Sequence, residues 1–274
     1  CFESDLWRLT FHAQIELKTL YRQKDEKWKS ILNNIRKGII TKEMNQTLRK
    51  CVDREVEEFD VQPIQLYPTK KTVDAINKAE MTSLVGTEKM YEYEFIFHEF
   101  DKSTGEKNAR PPERIEKIEE ENMLKNALYE KQLKLKVGAQ VMCIANVNME
   151  EGICNGTSGI VTDMMEHHVI VKLSDGRRWV FREHTWPSEN IRGFEIRQIP
   201  LVLAWAVTIH KSQGATLERA EIDVGSRVFA CGQTYVALSR VKSLDGLYLK
   251  GFDYNKIKVN EKVVEFYEEL ENST

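Results

Sequence analysis

The chain is expected to form an α/β fold, a parallel sheet flanked by helices with a small antiparallel β-barrel inserted. Three features lead there. An unbroken apolar run, Leu201, Val202, Leu203, Ala204, Trp205, Ala206 and Val207, suits a strand buried on both faces, the habit of central parallel strands. From Leu133 the period switches to two, with turn signals at Asn155-Gly156 and Asp175-Gly176, which argues for short antiparallel strands of a small barrel. Helical apolar stripes with capping residues supply the flanking layer.

In chain order, Phe2, Leu6, Trp7, Leu9, Phe11, Ile15, Leu17 and Leu20 suggest a short helix or turn followed by a strand. Trp28, Ile31, Leu32 and Ile35 recur at helical spacing, between Asp25 near the start and Gly38 just past the end, so their stripe reads as core. Thr41 is placed to cap a second helix from about residue 42 to 52, with Glu43 in its first turn. The acidic run Glu55, Glu57, Glu58 and Asp60 reads as solvated loop. Ile64, Leu66 and Tyr67 form a strand ending at Pro68, and a helix follows from about 71 to 84.

Tyr91, Tyr93, Phe95 and Phe97 alternate with Glu92, Glu94, Ile96 and His98 as one half-buried strand. An exposed loop from 101 to 112 and a charged helix from about 113 to 132 come next. Strands are expected at 139–145, 157–164, 168–173 and 178–181. After the apolar run, a strand at 221–224, a helix starting near Gly232, a strand at 246–250 and a terminal helix carrying Val263, Val264, Phe266, Tyr267 and Leu270 complete the chain.

Composition bounds the partners. With 274 residues, 41% hydrophobic and 30% charged, the chain can bury a sizeable core. A formal net charge of -3 supplies no strongly basic field, so any nucleic-acid contact must come from a local patch. Cys1, Cys51, Cys143, Cys154 and Cys231 form no CxxC pair, which argues against a structural zinc and for reduced thiols in an intracellular setting. The apolar run is about a third of the roughly 20 residues a membrane helix needs, and no membrane association is expected.

Chemistry concentrates in two stretches. At the carboxyl end of the 201–207 strand, where ligands of parallel sheets collect, His210, Lys211 and Ser212 with the permissive backbone of Gly214 suit phosphate binding. The same residues also fit a helix C-terminus, with Lys211 facing the dipole and Gly214 as the left-handed cap. In the second stretch, Gly232 to Val241, residues Gln233, Val236, Ala237 and Arg240 share one helical face. The apolar pair would dock the helix, and Arg240 would offer the planar fork of donors that the oxygens of a transferring phosphoryl group require. A surface arginine near a helix end is the plainer alternative.

Together, TIHKSQG and GQTYVALSRV resemble motifs five and six of the Pif-type DNA helicases, relatives of RecD in superfamily one. CFESDLW, LYRQKD, ILNNIRKG, LKVGAQVM and NGTSGIV extend the resemblance over nearly the whole chain, leaving 85–132 unmatched. It implies a second RecA-like domain in two parts, 1–90 and 199–274, with 91–198 inserted and a barrel of the Src-homology-three type within about 133–198. It implies an ATP-dependent helicase moving from the five-prime to the three-prime end of single-stranded DNA, at forks or other DNA structures. Arg22 and Arg240 would be the catalytic arginines at the ATP γ-phosphate; Gln213, Gly214 and Gln233 would line the nucleotide. Thr69, Asn77, Thr208, His210, Lys211 and Ser212 would meet DNA, although Thr69 as a plain N-cap is the stronger reading of the local sequence. Lys172, Arg177, Arg178, Trp179 and Arg182 of the barrel suit either DNA or a solvated face with a core tryptophan.

The resemblance also exposes what these residues lack: no GxxxxGK[ST] phosphate loop and no Asp-Glu metal strand occurs. No metal ligand is therefore assigned here. The expectation is a carboxyl-terminal half, inactive alone, whose partner is an amino-terminal RecA-like domain supplying the Mg2+ ligands and phosphate cradle. A nucleus, a mitochondrion or a viral replication site would suit it equally. The alternative is a binding or regulatory module without a motor, which two γ-phosphate arginines argue against.

Overall fold

The computed structural model describes every residue except 1, 2, 5, 17–20, 57, 58, 102, 126, 226, 227, 229, 273 and 274. In order, the elements are α1 (Trp7–Thr10), α2 (Glu26–Arg36), α3 (Lys42–Arg49), β1 (Ile64–Tyr67), α4 (Lys70–Ser83), β2 (Lys89–Glu92), β3 (Glu94–Phe97), α5 (Glu113–Lys125) and β4 (Gln132–Leu135). There follow β5 (Gln140–Cys143), β6 (Ser158–Met164), β7 (His168–Leu173), β8 (Arg178–Arg182), β9 (His184–Pro187), β10 (Phe194–Gln198), β11 (Leu201–Leu203) and β12 (Ala206–Thr208). The chain ends with β13 (Ala220–Val224), α6 (Gln233–Leu238), β14 (Leu247–Phe252) and α7 (Glu261–Asn272). It is an α/β fold with two compact units, one from Cys1–Val56 with Glu218–Thr274 and the other from Glu57–Leu217.

In the first unit, β13 and β14 pair in parallel, and the backbone of Cys51 and Asp53 bonds Leu249 beside them. Helix α2 starts where the sequence places it: the Asp25 carboxylate accepts from the backbone N–H of Lys27 and Trp28, satisfying two of the orphan donors of a helix start. Trp28, Ile31, Leu32 and Ile35 are all buried. Thr41 caps α3 through the N–H of Met44, but that helix stops at Arg49, and Val52 bridges to Leu249. Around the expected strand near the amino end, residues 11–16 carry no strand, while Phe2, Leu17 and Leu20 lie outside the described residues, as do Glu57 and Glu58 of the acidic run.

In the second unit, β1 and β12 pair in parallel, Tyr67 opposite Thr208. Helix α4 packs on them, with Tyr67, Val73 and Ala206 in a small shared core. The rest is antiparallel. A sheet of linear order β11-β5-β6-β7-β8 carries the larger core, including Val141, Val161, Val169, Val171 and Phe181. Beside it lie a three-stranded sheet, β3-β10-β9, and the β2-β4 pair.

Several expectations need correction. The 201–207 run is two strands: β11 pairs antiparallel with β5, and β12 pairs parallel with β1. Gln140, almost fully buried, makes the break, because its Nε2 donates to the carbonyls of Ala204 and Gln62 while Ala204 N–H donates back to the Gln140 carbonyl. The 91–97 alternation is likewise divided at Tyr93, whose N–H donates to the Lys131 carbonyl, so that β2 pairs with β4 and β3 with β10. The charged helix α5 ends at Lys125, and strands β9 and β10 were not anticipated.

Candidate nucleotide and DNA sites

In the first unit, α6 is shorter than its sequence face suggests. It ends at Leu238 with Ser239 as C-cap, so Arg240 stands in the turn beyond. Arg240 is 9% exposed. Its Nε donates to the Val236 carbonyl at 2.9 Å and its Nη2 to Ser239 Oγ at 2.8 Å. Arg22 reaches the same residue from the other end of the chain, Nη1 donating to the Ser239 carbonyl at 3.2 Å. The two guanidinium groups thus meet at Ser239, although 218 positions separate them in sequence.

Their electrostatics follow from that meeting. Burial, reinforced by the charge of Arg22, pushes Arg240 down to about 10, and burial lowers Arg22 also. At neutral pH Arg240 remains protonated. Among the described residues Arg240 has no carboxylate within ion-pair distance. A buried cation without an internal anion costs free energy, and an incoming phosphate would offset that cost. Gln233, at the start of α6, is 4% exposed, and its Oε1 accepts from the Ala230 N–H at 3.4 Å, a bond within its own helix start.

In the second unit, β1 and β12 run in parallel, so both deliver their carboxyl ends to one edge. Thr69 and the start of α4 leave from one strand, Thr208 to Gly214 from the other. The 208–214 turn is fixed by its own backbone: Lys211 N–H donates to Thr208 Oγ1 at 3.1 Å, and Ser212 N–H to the Thr208 carbonyl at 3.0 Å. Gly214 takes the left-handed conformation, φ 85°, which glycine adopts without strain. His210, Gln213 and Gly214 are exposed, and Thr208 is half-buried. Lys211 Nζ pairs with Glu130 Oε1 at 2.7 Å.

Three assigned roles change with this geometry. Ser212 is fully buried and its hydroxyl donates to the Ile209 carbonyl, so it pins the turn from within and offers nothing to a strand. Asn77 has its amide engaged at both ends by Ala206, Nδ2 to the carbonyl at 2.9 Å and Oδ1 from the N–H at 3.0 Å. It locks α4 onto β12. Thr69 occupies the N-cap position of α4 without a side-chain cap bond; its hydroxyl lies 3.0 Å from that of Thr72, exposed beside Lys70 and Lys71.

Sequence reasoning missed several contributors. Gln23 and Trp28 bond the backbone around Arg240, and Glu130 meets Lys211. Asn155 and Gly156 support the strand-side turn: the Asn155 carbonyl accepts from Thr216 N–H, and a Cβ on Gly156 would sit 2.5 Å from the Thr216 oxygen. The adjacency of Gln23 to Arg22 in YRQKD was the available signal for the first. Among the cations of β7 and the turn that follows it, Lys172 pairs with Asp60, and Arg177 with Asp175 and Glu151. A cavity of about 520 Å3 between α5 and β9, lined by Glu119, Met123, Tyr129 and Trp186, contains none of the candidate residues. Among the described residues no group of three or more His, Cys, Asp or Glu side chains could hold a metal ion, and no helix is long and apolar enough to cross a membrane.

Comparison with known proteins gives consistent matches. Residues 120–164 match the family model described as DNA helicase Pif1, 2B domain. The ATP-dependent DNA helicase PIF1 of Danio rerio is 34% identical over 275 residues, covering 98% of this chain and 40% of that protein. The crystal structure of Bacteroides sp Pif1 in complex with ADP-AlF4 superposes with a TM-score of 0.73 at 28% identity, covering 93% of this chain and 56% of that one. Bacteroides Pif1 bound to ssDNA gives a TM-score of 0.57 at 29% identity, covering 94% and 57%. The chain therefore spans less than two thirds of the length of these relatives.

Proposed function

We propose that this chain, a homologue of the carboxyl-terminal portion of Pif-type DNA helicases, supplies the γ-phosphate-sensing arginines and a strand-binding edge of an ATP-dependent 5'-3' DNA helicase. The carrying observation is the pair Arg22 and Arg240, both turned to Ser239, with Arg240 buried and lacking a carboxylate among the described residues. As the γ-phosphoryl group leaves ADP, negative charge spreads over its oxygens, and cations fixed in advance stabilise that charge without reorganising. ATP would be held by an amino-terminal RecA-like domain bearing the phosphate loop and the Mg2+ ligands. Within the first unit, the α6 start at Gln233 is proposed to line the nucleotide beside these arginines; for the second unit, a nucleotide contact of Gln213 and Gly214 is proposed on its own account.

The DNA edge is proposed to comprise Thr69, Thr208, His210 and Lys211. Backbone phosphates would meet Lys211 and the donors at the α4 start, with Ser212 and Asn77 shaping the edge from behind. A relative bound to ssDNA supports this part of the reading. We further propose that residues 91–198 act as an inserted body of the Src-homology-three type, serving forks or other DNA structures, within an intracellular enzyme.

The test is DNA-stimulated ATP hydrolysis by the full-length protein. Arg22→Ala and Arg240→Ala should each reduce turnover by about three to five powers of ten, while this chain alone should hydrolyse no ATP. Turnover unaffected by both substitutions, or turnover by the chain alone, would end the reading.

A further inference from the structure

We propose that Gln23 is the positioning residue that aims Arg240, one neutral amide holding the backbone on both sides of it. The inference rests on the nucleotide role proposed above. Gln23 is 3% exposed. Its Nε2 donates to the Ser239 carbonyl at 3.0 Å and to the Val241 carbonyl at 3.3 Å, the residues immediately before and after Arg240. Trp28 Nε1 adds a second donor to the Val241 carbonyl at 3.0 Å.

These bonds fall where the helix gives no support. Because α6 stops at Leu238, the carbonyls that follow have no intrahelical partner, the ordinary condition of a helix C-terminus. Left to themselves they would turn to water, and the Arg240 backbone would turn with them. Gln23 is itself anchored, two residues ahead of Asp25, whose carboxylate closes the first turn of α2. Arg240 is thereby tied to the same short segment that carries Arg22.

The chemistry of the amide matters as much as its reach. Arg22 and Arg240 repel each other, and Arg22 is one cause of the depressed Arg240 titration. A carboxylate at position 23 would relieve that repulsion, but it would also bind the guanidinium groups and compete with an arriving phosphate. A neutral donor aimed at carbonyls fixes the backbone and leaves the cations for the nucleotide. The arrangement predicts that loss of Gln23 is felt in the transition state more than in nucleotide binding.

The experiment is steady-state, ssDNA-stimulated ATPase of the full-length protein with Gln23→Met, which keeps volume and removes the donors. A misplacement on the order of 1 Å costs about a hundredfold, so kcat should fall by about that factor, with KM for ATP changed less than about threefold. Combined with Arg240→Ala, the substitution should add almost nothing, because a residue that acts through Arg240 has nothing left to aim. Trp28→Phe removes one donor while keeping the ring; it should lower kcat severalfold, again only when Arg240 is present, and it decides the matter if Gln23→Met fails to fold by thermal melting. A kcat within twofold of the parent, or factors that multiply with Arg240→Ala, would overturn the positioning role. If Arg240→Ala itself left turnover intact, the nucleotide reading would fail instead.

Discussion

The arginine pair of the first unit and the strand-side turn of the second hold their cations in opposite ways. Arg240 is buried and, among the described residues, bonded to neutral oxygens of Val236 and Ser239, with the Gln23 amide holding the carbonyls on either side of it. Lys211 is partly exposed and already paired with a carboxylate, Glu130, whose own backbone carbonyl is fixed by Gln198 Nε2 at 3.1 Å. The first arrangement is preorganised for one charge distribution, which is what stabilising a transition state requires. The second, on the proposed reading, would let a phosphate exchange with a carboxylate at small cost, since partly exposed pairs contribute about 0–1 kcal/mol. The motor proposed above would need both: a site that does not move relative to its reacting atoms, and a grip that can be released.

The largest expected effect breaks the comparison at its rigid end. Arg240→Ala should lower turnover by about three to five powers of ten and leave ssDNA affinity within about twofold, read by fluorescence anisotropy; equal losses in both would mean the two sites are not separable. Gly156→Ala probes the support of the strand-side turn. With φ at 101° and Thr216 backbone atoms 2.5 and 2.6 Å from the new Cβ, we expect at least about 2 kcal/mol lost in denaturant unfolding. A melting curve unchanged by this substitution would show that the Asn155-Gly156 turn does not brace residue 216.

Smaller effects sharpen the division of labour within the strand-side edge. Asn77→Ala should cost about 1–3 kcal/mol of stability, because it strands both polar backbone groups of Ala206; a loss of DNA affinity with full stability would instead restore Asn77 to the contact surface. Lys211→Ala should weaken ssDNA binding and reduce its salt slope by about one. Glu130→Gln should do the reverse, tightening binding severalfold at low salt, with the gain vanishing at high salt as screening removes the competition. No change from Glu130→Gln would mean that the pair opens freely and exerts no control.

Much of this architecture was legible in single residues. Asp25 and Thr41 announced helix starts because a capping side chain needs only its own next few N–H groups. β7 was bounded as expected and β6 to within a residue, since alternation and the Asp175-Gly176 turn act over short range. The arginine candidates were visible as well, carried by long motif strings rather than by composition.

Sequence by itself determined part of the local grammar: the caps of α2 and α3, the hairpin turns, and the antiparallel strands β6, β7 and β8. Tertiary structure alone decided that 201–207 divides at Ala204, because Gln140 and Gln62 lie far off in the chain. It decided too that Ser212 faces inward while Glu130 meets Lys211. Above all it placed Gln23 across the carbonyls of Ser239 and Val241. Periodicity records which residues prefer burial, but a hydrogen bond between distant segments leaves no period behind, and only the folded chain brings its two ends together.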